Sequence, residues 1–122
     1  MFYSEDNKGC FVGRLAEQFN PNFTDKGEAV GSFTIYVPTP RKTSEDEQKS
    51  AHIKCSIFGK KAEGLAKYTT RGSLIAVTGY FDNHQWQDEK GNKFSELILY
   101  TSSFKALESK KITEQRRKKL GE

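Results

Sequence analysis

The chain has 122 residues, 34% of them hydrophobic, with 20 Lys/Arg against 16 Asp/Glu. That length holds one ordinary domain, and no apolar run reaches the roughly 18 residues a membrane span needs. The net charge is +4, but residues 107–122 hold six cations and three acids, which leaves the body at only +1, so the case for an anionic partner rests on where the cations lie. The opening MFYSEDNKG carries acids and no apolar segment of a secretory signal, so the cytoplasm is the expected compartment.

Residues 6–15 read as a strand, with Phe11 and Val12 at its middle and glycines at 9 and 13 that suit a bend or a close backbone approach. Residues 18–27, QFNPNFTDKG, are rich in turn formers. In 29–37, Phe33, Ile35 and Val37 alternate with Ser32, Thr34 and Tyr36, a period of two that predicts a strand buried on one face. PTPRKTSEDEQKS, 38–50, has no period and two prolines, and reads as a flexible hairpin loop. A third strand follows over 50–58. After Gly59 the period changes: Ala62, Leu65 and Ala66 fall at helical spacing, predicting a short helix near 60–70 that Gly72 ends. Residues 74–81 and 94–102 read as two more strands, with HQWQDEKGNKF as a long hairpin tip turning at Gly91.

The order β-β-β-α-β-β predicts an all-β chain: a five-stranded Greek-key OB barrel with one short helix between strands three and four, of the kind whose faces and loops hold oligonucleotides. The barrel is expected to occupy 1–107, with 108–122 as a basic, loosely attached tail, helical in part at most. Cys10 and Cys55, with only two histidines and no CxxC, are too sparse for a zinc site or disulfide framework. Both read as buried packing residues, and no metal or cofactor is expected. Nothing has the pattern of an active site, so an enzyme is not expected.

A groove for unstacked bases needs cations for phosphates and flat rings for bases. This chain interleaves them. Phe58 is followed by Lys60 and Lys61, Trp86 stands among His84, Gln85 and Gln87, and Tyr36 precedes Arg41 and Lys42. Lys54, Lys67 and Arg71 extend the track. Each has a plainer reading. Phe58 can belong to the core, Trp86 to a subunit contact, and Tyr36 to a barrel exterior it merely covers. Lys60 and Lys61 can be surface residues of a first helical turn, and Arg41 and Lys42 part of a solvated hairpin.

GRL near the start, IFGKKAEGLAKYTTRGSLIAVTGYF, and WQD with a following glycine resemble the bacterial and phage single-stranded DNA-binding protein family from about residue 7 to 107. The resemblance implies a protein that coats single-stranded DNA in replication, recombination and repair, usually as a homotetramer, with a dimer as the lesser option. By that likeness Phe58 and Trp86 match two of the family's base-stacking aromatics. A third falls near His52 and a fourth near Pro40, where no aromatic stands. The family's best-known members end in an acidic tip that recruits replication proteins. This chain ends RRKKLGE, so recruitment through such a tip is expected to be absent, and a phage or plasmid version is implied. A rival reading is an OB-fold loading or mediator protein that binds DNA weakly and a recombinase or helicase tightly. An RNA-binding OB domain is another.

Overall fold

The computed structural model describes residues 6–121, so residues 1–5 of the opening segment and the last residue of the tail lie outside the described residues. The strands are β1 (Gly9–Leu15), β2 (Asn22–Phe23), β3 (Ala29–Lys42), β4 (Gln48–Phe58), β5 (Leu74–Gln87) and β6 (Lys93–Ala106). Helix α1 (Lys60–Tyr68) joins β4 to β5, and α2 (Lys110–Lys119) follows β6. The sheet order β1-β5-β6-β4-β3-β2 closes on itself because β1 also pairs with β3. β4 and β6 form the parallel pair, the other ladders being antiparallel, which gives the expected five-strand OB barrel.

Closure needs β1 to leave one neighbour for another. It pairs with β5 from Gly9 to Arg14, then with β3 at Arg14↔Tyr36 and Leu15↔Ile35. At the crossing a Cβ on Gly13 would stand 2.5 Å from the Tyr36 carbonyl oxygen, so the backbones approach as only glycine allows. The period of two then sorts the side chains. Phe33 and Ile35 are buried with Cys55, Ile57, Ile75, Val77 and Leu99, while Tyr36 faces outward. α1 inserts Ala62 and Leu65 into this cluster, as their helical spacing requires, and so plugs one end of the barrel.

The strands depart from the sequence expectation in four details. β1 begins at Gly9 rather than residue 6. Ahead of it the Asn7 amide takes the place of a ladder pair, donating to the Phe81 carbonyl (2.8 Å) and accepting from its N–H (3.1 Å). Cys10 is exposed, not packed, because alternation along β1 turns Cys10 and Val12 outward while Gly13 and Leu15 face in. The loop expected over 38–50 is mostly strand, the turn being confined to 43–47. Past Tyr36, among the described residues, no strand pairs with the other edge of β3, and proline is tolerated in a strand whose free edge needs no donor. The tip expected over 84–94 is likewise strand up to Gln87 and again from Lys93, closed by a turn in which Asp88 accepts from the N–H groups of Lys90 and Asn92.

Residues 110–119, expected as part of a loose tail, form α2 and dock against the barrel. Ser109 caps its start by accepting from the Ile112 N–H at 3.2 Å. Glu108 accepts from the Leu74 N–H (3.0 Å), from Arg14 (3.0 Å) and from two nitrogens of Arg116. Arg117 donates to the Lys67 and Thr69 carbonyls at 2.9 and 3.1 Å, filling orphan acceptors at the carboxyl end of α1. No packing stripe is visible in this segment because polar groups, not apolar ones, hold the helix.

The Arg116 hydrogen bonds, with help from Leu74 and Arg14, hold the Glu108 carboxyl down from 4.5 to about 2 despite its burial. A carboxyl depressed on folding stabilises the fold above its ordinary value and loses that contribution as the pH falls through the depressed one. Glu108→Gln should therefore lower the melting temperature near neutral pH, with a gap to wild type that narrows from pH 4.5 towards about 2. Thermal melts across that range check this, and a gap independent of pH would contradict it.

Candidate nucleic-acid interface

His52, Lys54 and Phe58, at alternate positions of β4, face out of the barrel, and Glu96 of β6 lies beside them. Lys54 and Glu96 meet there in an ion pair of 2.8 Å. Opposite His52 on the neighbouring strand is Tyr36, their rings tilted at 53° with centroids 4.5 Å apart. Tyr36, His52 and Lys54 line one side of a hollow of about 490 Å³, whose other side is the 16–19 segment after β1.

Where β5 and β6 run past the barrel they form a two-stranded arm. Its register sets Trp86 opposite Phe94 and His84 opposite Glu96, so the ring residues and Glu96 share the face that carries Lys54. Trp86 stacks with Phe94 at 5.5 Å and 18°, and with His84 at 5.4 Å and 24°. Trp86 and Phe94 are each 43% exposed, so neither is consumed by the core. The ladder arises from sequence in a simple way: His84 and Trp86 are two apart on one strand, and the turn at Gly91 folds Phe94 back across them.

Phe58 ends β4, 54% exposed, with the Lys61 ammonium 4.6 Å above its ring centroid. Its core reading is thereby excluded. Lys61 also donates to the Thr101 carbonyl at 3.3 Å, which fixes it beside that ring. Lys60 is exposed at the start of α1. At the other end of that helix, Lys67 lies 5.3 Å from the Tyr68 ring centroid and Arg71 is exposed in the following turn. Arg41 and Lys42 stand on the β3–β4 arm, Lys42 within 3.3 Å of Asp46.

The structure thus joins Tyr36, His52 and Lys54 in one hollow and builds a second platform from His84, Trp86 and Phe94. Phe58, Lys60 and Lys61 form a third group at the start of α1, apart from Arg41 and Lys42 on their arm and from Lys67 and Arg71 beyond the helix. Two members were missed in the sequence: Phe94, read only as a strand start, and Glu96, which matches the charge of Lys54. Counting outward from the Gly91 turn would have found Phe94. Glu96 gave no local signal, since its partner is 42 residues away.

A closed five-strand OB barrel whose outer face carries half-exposed rings among cations defines an oligonucleotide-binding type of domain. The chain belongs to the single-strand binding protein family, whose profile matches residues 6–107. It is 31% identical over 113 residues to Single-stranded DNA-binding protein 1 of Lactococcus lactis subsp. lactis (strain IL1403), covering 93% of this chain and 75% of that protein. It is 32% identical over 104 residues to Single-stranded DNA-binding protein 3 of Listeria innocua serovar 6a, covering 85% and 65%. With the Single-stranded DNA-binding protein of Enterococcus faecalis it shares 29% over 110 residues, covering 90% and 58%. The chain spans less than two thirds of the length of the last two.

If the arm rings serve a ligand rather than the fold, removing one should cost little stability. Trp86→Ala should lose no more than about 0.5–1.5 kcal/mol. Leu65→Ala, in the barrel core, should lose about 2–5 kcal/mol. Urea unfolding compares the two, and a Trp86→Ala loss as large as that of Leu65→Ala would make the tryptophan structural.

Proposed function

We propose that this chain binds single-stranded DNA without reading its sequence, as a non-enzymatic coat that protects the strand during replication, recombination and repair. The observation that carries the reading is the set of exposed rings on the barrel and its β5–β6 arm: Tyr36, Phe58, Trp86 and Phe94 are 41%, 54%, 43% and 43% exposed. Every base has a flat π-face, so stacking on such rings tolerates any sequence. Family membership and the names of its relatives support the same ligand.

In this reading Tyr36, Phe58 and Trp86 are the base platforms, joined by Phe94 and by His52 over Tyr36. Arg41, Lys42, Lys54, Lys60, Lys61, Lys67 and Arg71 meet phosphates. Lys54 does so while paired to Glu96, and Lys42 while paired to Asp46, which weakens both for a second anion. The protein works as a homo-oligomer, a tetramer in preference to a dimer. The outer edge of β1 beside Cys10 and Val12, with Val12 46% exposed, supports an association surface there. Its place of action is the cytoplasm of a bacterial cell or of a phage-infected host. Among the described residues no helix is long and apolar enough to cross a membrane.

Anisotropy of a labelled oligo-dT tests the reading. Trp86→Ala and Phe94→Ala should each weaken binding by about 1–3 kcal/mol, the usual worth of one base–aromatic stack. Oligo-U should compete less well than oligo-dT if the groove holds DNA in preference to RNA. Unchanged affinity in Trp86→Ala, with a smaller mass by light scattering, would make the tryptophan a subunit contact instead.

A further inference from the structure

Helix α2 presents two unlike sides. Thr113, Arg116, Arg117 and Leu120, at spacings of three and four, face the barrel, and the two arginines spend their donors on Glu108 and on the end of α1. Lys110, Lys111, Lys118 and Lys119 are exposed. The ion pairs among the described residues of this region use Arg14 and Arg116, not these lysines.

The helix dipole favours only half of them. Lys118 and Lys119 suit the negative end of the helix dipole, but Lys110 and Lys111 occupy the first turn, which holds no acid, where cations are unfavourable. An anionic ligand across the helix would offset that cost. The lysines also lie on a continuous path. Leu120, directly after Lys119, lines a hollow of about 350 Å³ with Arg71, Glu17, Gln18 and Asn20. Glu17 and Gln18 also line the hollow that holds Tyr36 and Lys54.

We propose that α2 is a second, purely electrostatic stretch of the binding surface: a single strand leaving the Tyr36 hollow over Gln18 passes Arg71 and lays its phosphates along Lys118, Lys119, Lys111 and Lys110. This extension rests on the reading of the barrel face as a single-strand groove. It offers no rings, Ile112 being an exposed aliphatic side chain, so it holds backbone and not bases, and its contribution is charge alone. Glu17 is the carboxylate at the join of the two hollows, and Glu114 is exposed on α2 between the two lysine pairs.

The test uses the full chain carrying K110Q/K111Q/K118Q/K119Q, with Arg116 and Arg117 kept because they hold the helix in place. K118E/K119E serves as a second variant that alters only the end beside the hollow. Binding is measured against salt for oligo-dT of about 5 and about 16 nucleotides, near the two ends of the range an OB fold covers. The longer strand should lose affinity at low salt in both variants, its log–log slope falling by about 0.7 for each phosphate contact removed. The shorter strand should bind wild type and variants alike. Equal slopes for wild type and variants on the longer strand would overturn the α2 path. So would an equal loss on both lengths, which is a net-charge effect without a site. Failure of wild type to bind the short strand at all would overturn the groove itself, and the α2 extension with it.

Discussion

β1 hydrogen-bonds to β5 along Gly9–Arg14 and transfers to β3 at Arg14 and Leu15, and that transfer is what turns a sheet into a barrel. It depends on a glycine at the crossing, because any side chain on Gly13 would meet the Tyr36 carbonyl. Once closed, the barrel gives every strand an inside and an outside, and the period of two does the rest. Phe33 and Ile35 go in; Tyr36, one residue on, goes out beside His52. The position of this ring on the outward face is thus a consequence of the same crossing that forms the core.

The arms extend the argument. A strand within the barrel must give alternate positions to the core, but β5–β6 beyond Phe81 and β3–β4 beyond Val37 have no core to fill. Side chains there are free of packing constraints, and the sequence uses that freedom for Trp86, Phe94 and His84 on one arm and for Arg41 and Lys42 on the other. The arms are held by ladder hydrogen bonds and tight turns, so the fold tolerates changes in their side chains. At the opposite end, α1 plugs the barrel and α2 is pinned to it by Glu108, Arg116 and Arg117, which brings a second group of cations onto the same body.

Much of this was legible in the sequence wherever apolar residues carried the signal. The alternation over 29–37 fixed which residues of β3 face out, and the spacing of Ala62 and Leu65 located the helix that plugs the barrel. The arms were read as loops because polar strands outside a core show no alternation, and Pro38 and Pro40 argue against a strand unless one edge is known to be free. Cys10 was misread because Phe11 and Val12 beside it are apolar, although only one of the two alternating faces of β1 is inside. The docking of α2 was invisible for another reason. Its anchor joins Glu108 to Arg14 across 94 residues, and polar long-range pairs leave no periodic trace. Phe94 lay within reach, given the register set by the Gly91 turn.

The central claim is that nucleic acid lies on the outward face shared by β3, β4, β6 and β5, held by rings that the barrel turns out of its core. Heteronuclear NMR of the full chain, with resonances followed as oligo-dT is added, tests it most directly. The largest ring and backbone shifts should fall at Tyr36, His52, Phe58, Trp86 and Phe94, with the buried set around Ile35, Leu65 and Leu99 little moved. Shifts confined to the outer edge of β1 around Cys10 and Val12, with those five residues unmoved, would contradict it.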